Sequence, residues 1–118
     1  MLEVFVPDVD ALAVGASKVF RFRRGRSTIE GFVMRNSQGF VAFANECPHW
    51  HVDLDLGTGD FWDPESARIL CKNHGALFHP ESGVCERGPC TGLSLERFEF
   101  ALSGGGARVW VPDAESAT

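Results

Sequence analysis

The sequence lacks an apolar run that approaches the roughly 18 residues needed for a membrane-spanning helix. Its first residues, 1–4, also lack the basic and then apolar stretch of a secretory signal peptide. Basic residues are the minority, because 11 lysines and arginines stand against 16 aspartates and glutamates, for a net charge of −5. A net negative charge argues against binding to nucleic acid. These absences predict a cytoplasmic protein that binds neither membrane nor nucleic acid.

The sequence also lacks the marks of a self-contained enzyme. No Gly-x-Gly-x-x-Gly stands between a strand and a helix, so no nicotinamide- or flavin-binding segment is predicted. Repeats, linkers and low-complexity tracts are absent as well. A chain of 118 residues is long enough to bury a real core. We therefore expect one domain, residues 1–118.

What the sequence contains is strand formers separated by turn residues. β-branched and aromatic residues predict strands at 2–6, 18–22, 28–34, 39–44, 93–102 and 107–111. Turns are predicted at 24–26, 36–39 and 103–106, where the last two strands form a hairpin. Residues 11–16 are predicted to hold one helical turn, and no amphipathic helix of ordinary length is indicated. The predicted fold class is all-β, an antiparallel sandwich or barrel.

Two short motifs carry the chemistry, Cys47-x-His49 and Cys71-x-x-His74, with residues 50–70 between them. Each motif offers one thiolate and one imidazole, and the short spacing lets each segment bend round a metal. In a binuclear iron–sulfur cluster, each iron completes its tetrahedron with two protein ligands. If both sulfurs bind one iron, the two cysteines must converge from different loops. The two loops are therefore predicted to lie side by side.

The residues around these motifs resemble the Rieske [2Fe-2S] family. An alternating apolar strand, 40–44, leads into the first motif. The residues after the second motif look like the family's second ligand loop, the hairpin that follows and the proline loop over the cluster: Gly75-Ala76-Leu77-Phe78, Ser82-Gly83, Cys85 and Gly88-Pro89. The resemblance extends from about Leu12 to Val111. It implies a small cluster-binding subdomain, about 45–90, that holds one [2Fe-2S] cluster through Cys47, His49, Cys71 and His74.

Two differences from the family pattern indicate which members of the family the sequence resembles most. The separation of the motifs is several residues longer than is usual for ferredoxins of this family, and the excess is predicted in the turn-rich segment 57–66. Respiratory-complex members carry an extra disulfide at positions that are Val52 and Asn73 here, so that bridge cannot form. The resemblance is therefore to small soluble Rieske ferredoxins that feed oxygenases, or to related stand-alone Rieske proteins.

This resemblance implies a one-electron carrier rather than an enzyme. A flavin-dependent reductase would supply the electrons, and a terminal oxygenase or similar redox enzyme would accept them. Two neutral imidazoles in place of two thiolates make the cluster easier to reduce, with potentials of roughly −150 to +300 mV against about −400 mV for plant-type ferredoxins. The alternatives are a small Rieske subunit of a larger redox enzyme and a structural zinc module that uses the same four ligands.

Residues beside the first motif have competing interpretations. His51 is an alternative ligand to His49, in the pattern Cys47-x-x-x-His51. Trp50 is either an exposed docking contact or a shield that packs between the loops. An acidic run follows, and we hypothesise that it docks a basic patch on a partner, because complementary charge raises encounter rates. The run consists of Asp53, Asp55, Asp60, Asp63 and Glu65.

Residues beyond the second motif have plainer interpretations. His79 is predicted to be a surface or hydrogen-bonding histidine rather than a ligand. Cys85 and Cys90 are predicted to be small buried or half-buried residues around the proline loop, with extra ligands or a disulfide as the alternatives.

Overall fold

The computed structural model describes residues 1–48 and 52–117. Within these residues, one 3₁₀ turn occupies Val9–Ala11, and the other regular elements are strands. The strands are β1 Leu2–Val6, β2 Ser17–Arg24, β3 Ser27–Asn36, β4 Gly39–Ala44, β5 Trp62–Asp63, β6 Arg68–Leu70, β7 Leu77–Phe78, β8 Cys85–Arg87, β9 Glu99–Ser103, β10 Gly106–Val111 and β11 Ser116–Ala117.

The strands form three antiparallel sheets, in the orders β1-β10-β9, β11-β2-β3-β4 and β5-β6-β7-β8. The all-β prediction is confirmed. The predicted helical turn at 11–16 was misplaced, because the 3₁₀ turn begins after Asp8, whose φ of 60° is left-handed. Among the described residues, no helix is long and apolar enough to cross a membrane.

Strands β3 and β4 separate two apolar cores. Alternate side chains of a strand point to opposite faces, so Phe32 and Phe43 pack into one core while Val33 and Ala42 pack into the other. The first core lies on the side of the third sheet and contains all four cysteines. Phe61 joins that sheet to the centre of the fold, since its ring stacks on Phe32 with a centroid separation of 3.9 Å.

Residues 93–98 connect the second and third sheets. They were predicted as the first part of a strand, but β9 begins only at Glu99. The segment changes partners along its length: the Leu95 N–H donates to Gly83 O, and the Phe98 N–H donates to Ala42 O, each at 2.9 Å. This change prevents a continuous ladder and fixes the third sheet against the larger one.

Candidate metal centre

The two predicted ligand loops close in the same way. Cys47 follows β4, and its N–H donates to Val52 O at 2.9 Å. Cys71 follows β6 directly, and its N–H donates to Ala76 O at 2.9 Å. Each cysteine thus bonds to the carbonyl five residues later. The two loops therefore close over the same number of residues.

The two loops lie side by side, as predicted. The Lys72 N–H of the second loop donates to Leu54 O, just beyond the first, at 2.9 Å. The Leu54 N–H donates to the Asn45 side-chain oxygen at 2.8 Å, which anchors the same segment to the residue after β4. Backbone bonds therefore bring the two motifs together.

The two cysteine sulfurs converge inside the apolar core. Cys47 and Cys71 are both fully buried, and their thiols lie in hydrogen-bonding contact. Burial raises the pKa of the Cys71 thiol, while the N–H groups of Asn73 and His74, which donate to its sulfur, act in the opposite direction. The prediction that the two cysteines converge from different loops is confirmed, and their role as ligands stays a prediction.

The imidazoles have a different setting. His74 is exposed, at the end of the loop whose cysteine is buried. His49 and its competitors Trp50 and His51 lie outside the described residues. A buried thiol pair, with an exposed imidazole three residues after one of the two cysteines, is a donor set that fits a [2Fe-2S] cluster bound by cysteine and histidine.

The proline loop packs against the second ligand loop at Gly88. This glycine has a φ of 108°, and a Cβ built on it would lie 2.9 Å from the Ala76 Cα. The Thr91 hydroxyl donates to Gly88 O at 2.7 Å and holds the loop in this shape. A backbone atom cannot yield as a flexible side chain does, so the contact requires glycine here.

Replacing Gly88 by alanine should push the proline loop away from the second ligand loop. Gly92→Ala is the matched control, because Gly92 has a similar φ of 92° but nothing within 4 Å of its Cβ position. Both variants carry backbone strain, and only Gly88→Ala carries the clash. We expect the visible absorption to bleach several-fold faster in air for Gly88→Ala than for Gly92→Ala. Equal bleaching rates would show that the contact does not protect the centre.

Two further thiols lie next to the predicted ligands. Cys85 and Cys90 are each 1% exposed, which confirms the prediction of small buried residues. Their sulfurs are 2.7 Å apart, and Cys90 also contacts the Cys47 thiol. Burial and the neighbouring Cys85 thiol raise the pKa of Cys90 to about 12. Both residues are free thiols.

His79 is a hydrogen-bonding residue of the hairpin, as predicted. Its Nδ1 accepts from the N–H groups of Glu81 and Ser82, at 3.1 and 3.3 Å.

The acidic run is not a single solvated face, because Asp55 is buried. Its carboxylate accepts from the Asn45 amide at 3.0 Å, the Gly57 N–H at 3.2 Å and the Gly59 N–H at 2.8 Å. Burial acts to raise the pKa of Asp55, but these hydrogen bonds outweigh it and hold the pKa below its ordinary value. Asp55 and Asn45 were missed as supporting residues. The two glycines after Asp55 are a turn signal that could have indicated its role.

The remaining acids of the run differ among themselves. Asp53 is largely exposed. Its pKa is raised by the partial desolvation of its carboxylate and by the negative charges of Glu30, Asp55 and Glu46. Asp63 accepts from the Ser66 hydroxyl at 2.7 Å within its own turn. Asp60 lies 3.7 Å from the Lys72 ammonium. The concentration of negative charge is therefore around Asp53, beside the first ligand loop.

A model of the Rieske [2Fe-2S] domain matches residues 5–99. The chain belongs to the Rieske [2Fe-2S] family. One [2Fe-2S] cluster per chain is the cofactor of this domain, and the two buried thiols described above fit its sulfur ligands. No curated protein matches the sequence.

Solved structures show the same Rieske fold. The ferredoxin of carbazole 1,9a-dioxygenase from Nocardioides aromaticivorans IC177 is 26% identical, with a TM-score of 0.68 over 92% of this chain and 97% of that one. A chain from a complex of reduced oxygenase and oxidised ferredoxin in carbazole 1,9a-dioxygenase is also 26% identical, with a TM-score of 0.67 and 91% of both chains covered. The terminal oxygenase from Novosphingobium sp. KA1 is 18% identical, with a TM-score of 0.69, and the match covers 96% of this chain but 30% of that one.

Proposed function

We propose that this Rieske protein is a one-electron carrier whose [2Fe-2S] cluster is bound by Cys47, His49, Cys71 and His74. The observation that carries the assignment is the pair of fully buried, contacting thiols of Cys47 and Cys71, held by two equivalent loops. The carbazole dioxygenase ferredoxin, which aligns over almost its whole length, supports a carrier rather than an enzyme.

The protein's own groups prepare this site for electron transfer. The bound cluster supplies a one-electron couple at roughly −150 to +300 mV. The Asn73 and His74 N–H groups donate to the Cys71 sulfur, and such donors stabilise negative charge and make reduction easier. His74 is exposed and provides the exit point for the electron. The apolar core behind the two thiols keeps water away from the sulfur side.

We propose that electrons arrive from a separate flavin-dependent reductase and leave to a terminal oxygenase or a similar redox enzyme. A related structure holds an oxygenase together with a ferredoxin, which supports this type of acceptor. We propose the cytoplasm as its compartment, a choice that the four free thiols support. The chain would act there as a single domain, 1–118, with its cluster-binding subdomain at about 45–90.

A redox titration of the purified protein tests the carrier function. Electrodes or mediators set the potential, and visible absorption and electron paramagnetic resonance follow the cluster. We expect one reversible one-electron transition per chain at roughly −150 to +300 mV. An irreversible transition, or none in this range, would overturn the proposal.

Size-exclusion chromatography of the chain alone distinguishes a free carrier from a subunit of a larger enzyme. A free carrier elutes as a small species that retains its cluster, whereas a subunit needs its larger partner.

A further inference from the structure

Cys85 and Cys90 form a pair of thiols that the electron-carrier function does not use. Their sulfurs are 2.7 Å apart in a buried environment. A disulfide bond has a length of about 2.05 Å, so the sulfurs need to approach by only about 0.7 Å to bond. The two thiols are therefore close enough to form a disulfide with each other.

The backbone around the pair is held by three hydrogen bonds. The Cys85 N–H donates to Leu93 O at 2.7 Å, and the Gly92 N–H donates to Cys85 O at 3.1 Å. The Leu93 N–H donates to Cys90 O at 2.8 Å and closes the turn that follows the proline loop. The two cysteines therefore stay opposite each other without help from a covalent bond.

We propose that Cys85 and Cys90 are a reversible disulfide site that fastens the proline loop to β8 when the protein meets a small-molecule disulfide. A thiolate of the pair attacks the small disulfide, forms a mixed disulfide and releases one small thiol. The second cysteine then attacks the mixed disulfide, forms the Cys85–Cys90 bond and releases the second small thiol. Two electrons and two protons pass from the cysteine pair to the small disulfide. Both sulfurs are buried. A buried thiol reacts only when local opening of the structure exposes it, so the exchange is slow.

The sequence allows the disulfide to be identified without ambiguity. Trypsin places each cysteine on its own peptide: Cys47 on 36–68, Cys71 on 69–72, Cys85 on 73–87 and Cys90 on 88–97. Holo-protein is incubated with glutathione disulfide in large excess, quenched in acid, denatured and alkylated before digestion. A second sample starts oxidised and receives excess reduced glutathione. We expect a cross-linked peptide 73–87/88–97 in the first sample and two alkylated peptides in the second.

Several outcomes would overturn the disulfide site. They are complete alkylation of both cysteines after oxidation, a stable glutathione adduct, or a link from 88–97 to 36–68. Cys85→Ser and Cys90→Ser should each abolish the cross-link, and a link that survives either change would also contradict it.

Discussion

Replacing Cys71 by alanine is expected to yield a colourless protein, whereas replacing Cys85 by alanine is expected to leave the colour unchanged. Both side chains are buried in the same apolar core, and both thiols contact a second cysteine. The packing losses of the two variants are therefore similar. Only Cys71 lies in a motif with a histidine on a ligand loop.

The expected loss follows from coordination. An iron that loses one of two protein ligands has no replacement at that position, because alanine offers no donor atom. Alanine is preferred to serine here, because a serine side chain could bind iron through its oxygen in place of the thiolate. Iron and acid-labile sulfide per chain, together with the visible spectrum, are measured on wild type, Cys71→Ala and Cys85→Ala that were purified under the same anaerobic conditions.

Reciprocal results would reassign the ligands. A red-brown Cys71→Ala protein with a colourless Cys85→Ala protein would move the sulfur ligand to the proline-loop pair. Adding His74→Ala extends the test to the exposed ligand, for which we also expect loss of the cluster. Circular dichroism of each variant shows whether a colourless protein retains its β-structure.

Replacing Asp55 by alanine is expected to destabilise the protein by about 3 kcal/mol, because hydrogen bonds to a buried charged group are among the strongest in proteins. Three donors converge on its carboxylate, one from Asn45 and two from the backbone of Gly57 and Gly59. Alanine leaves all three without their acceptor. Asn45 in turn accepts from the Leu54 N–H, so the damage extends to the segment that joins the two ligand loops.

The urea midpoint of the holo-protein is the measurement. With a denaturant dependence of about 2 kcal/mol per molar, a loss of that size lowers the midpoint by about 1.5 M. Asp60→Ala is the control, since Asp60 is an exposed acid of the same loop. Its carboxylate forms an ion pair with Lys72 that contributes less than about 1 kcal/mol, and it accepts one solvent-exposed hydrogen bond from the Trp62 N–H at 3.2 Å. Midpoints that fall equally in the two variants would contradict the role of Asp55.

The effect of Asp55 should depend on pH with a defined sign. Its pKa in the folded protein lies below the ordinary value of 3.8. The ionised carboxylate therefore contributes stability in full above that value, and the contribution is lost as the pH falls through the lowered pKa. The difference between wild type and Asp55→Ala is expected to stay constant from pH 8 to 6 and to shrink below pH 3.8.

The meeting of the two cysteine loops could be predicted better than the residues that support them. Cys-x-His and Cys-x-x-His are local patterns, and the chemistry of a binuclear cluster requires that their loops meet. Asn45 and Asp55 are joined by a side-chain hydrogen bond although they are ten residues apart in the sequence. Neither residue belongs to a metal-ligand motif. Asp55 carried a charge in an acidic run, so composition favoured exposure. Its burial depends on three donors that only the folded loop brings together.

The strands show the same contrast. The ends of β1 and β4 were predicted correctly because runs of strand-forming residues stop at turn formers. Residues 93–98 also contain apolar residues at strand-like spacing, but they bond first to the third sheet and then to the second. Periodicity reports which face a side chain occupies and does not report which strand lies beside it. The third sheet itself consists of strands of two or three residues, too short to show a period.

The most direct test of the central claim is a metal analysis of the anaerobically purified protein, with its visible spectrum before and after dithionite. We predict a red-brown protein that bleaches on reduction and contains two irons and two acid-labile sulfides per chain, as a [2Fe-2S] cluster requires. One zinc per chain, with no iron uptake after attempted iron–sulfur reconstitution, would contradict the account and identify the four ligands as a structural zinc site.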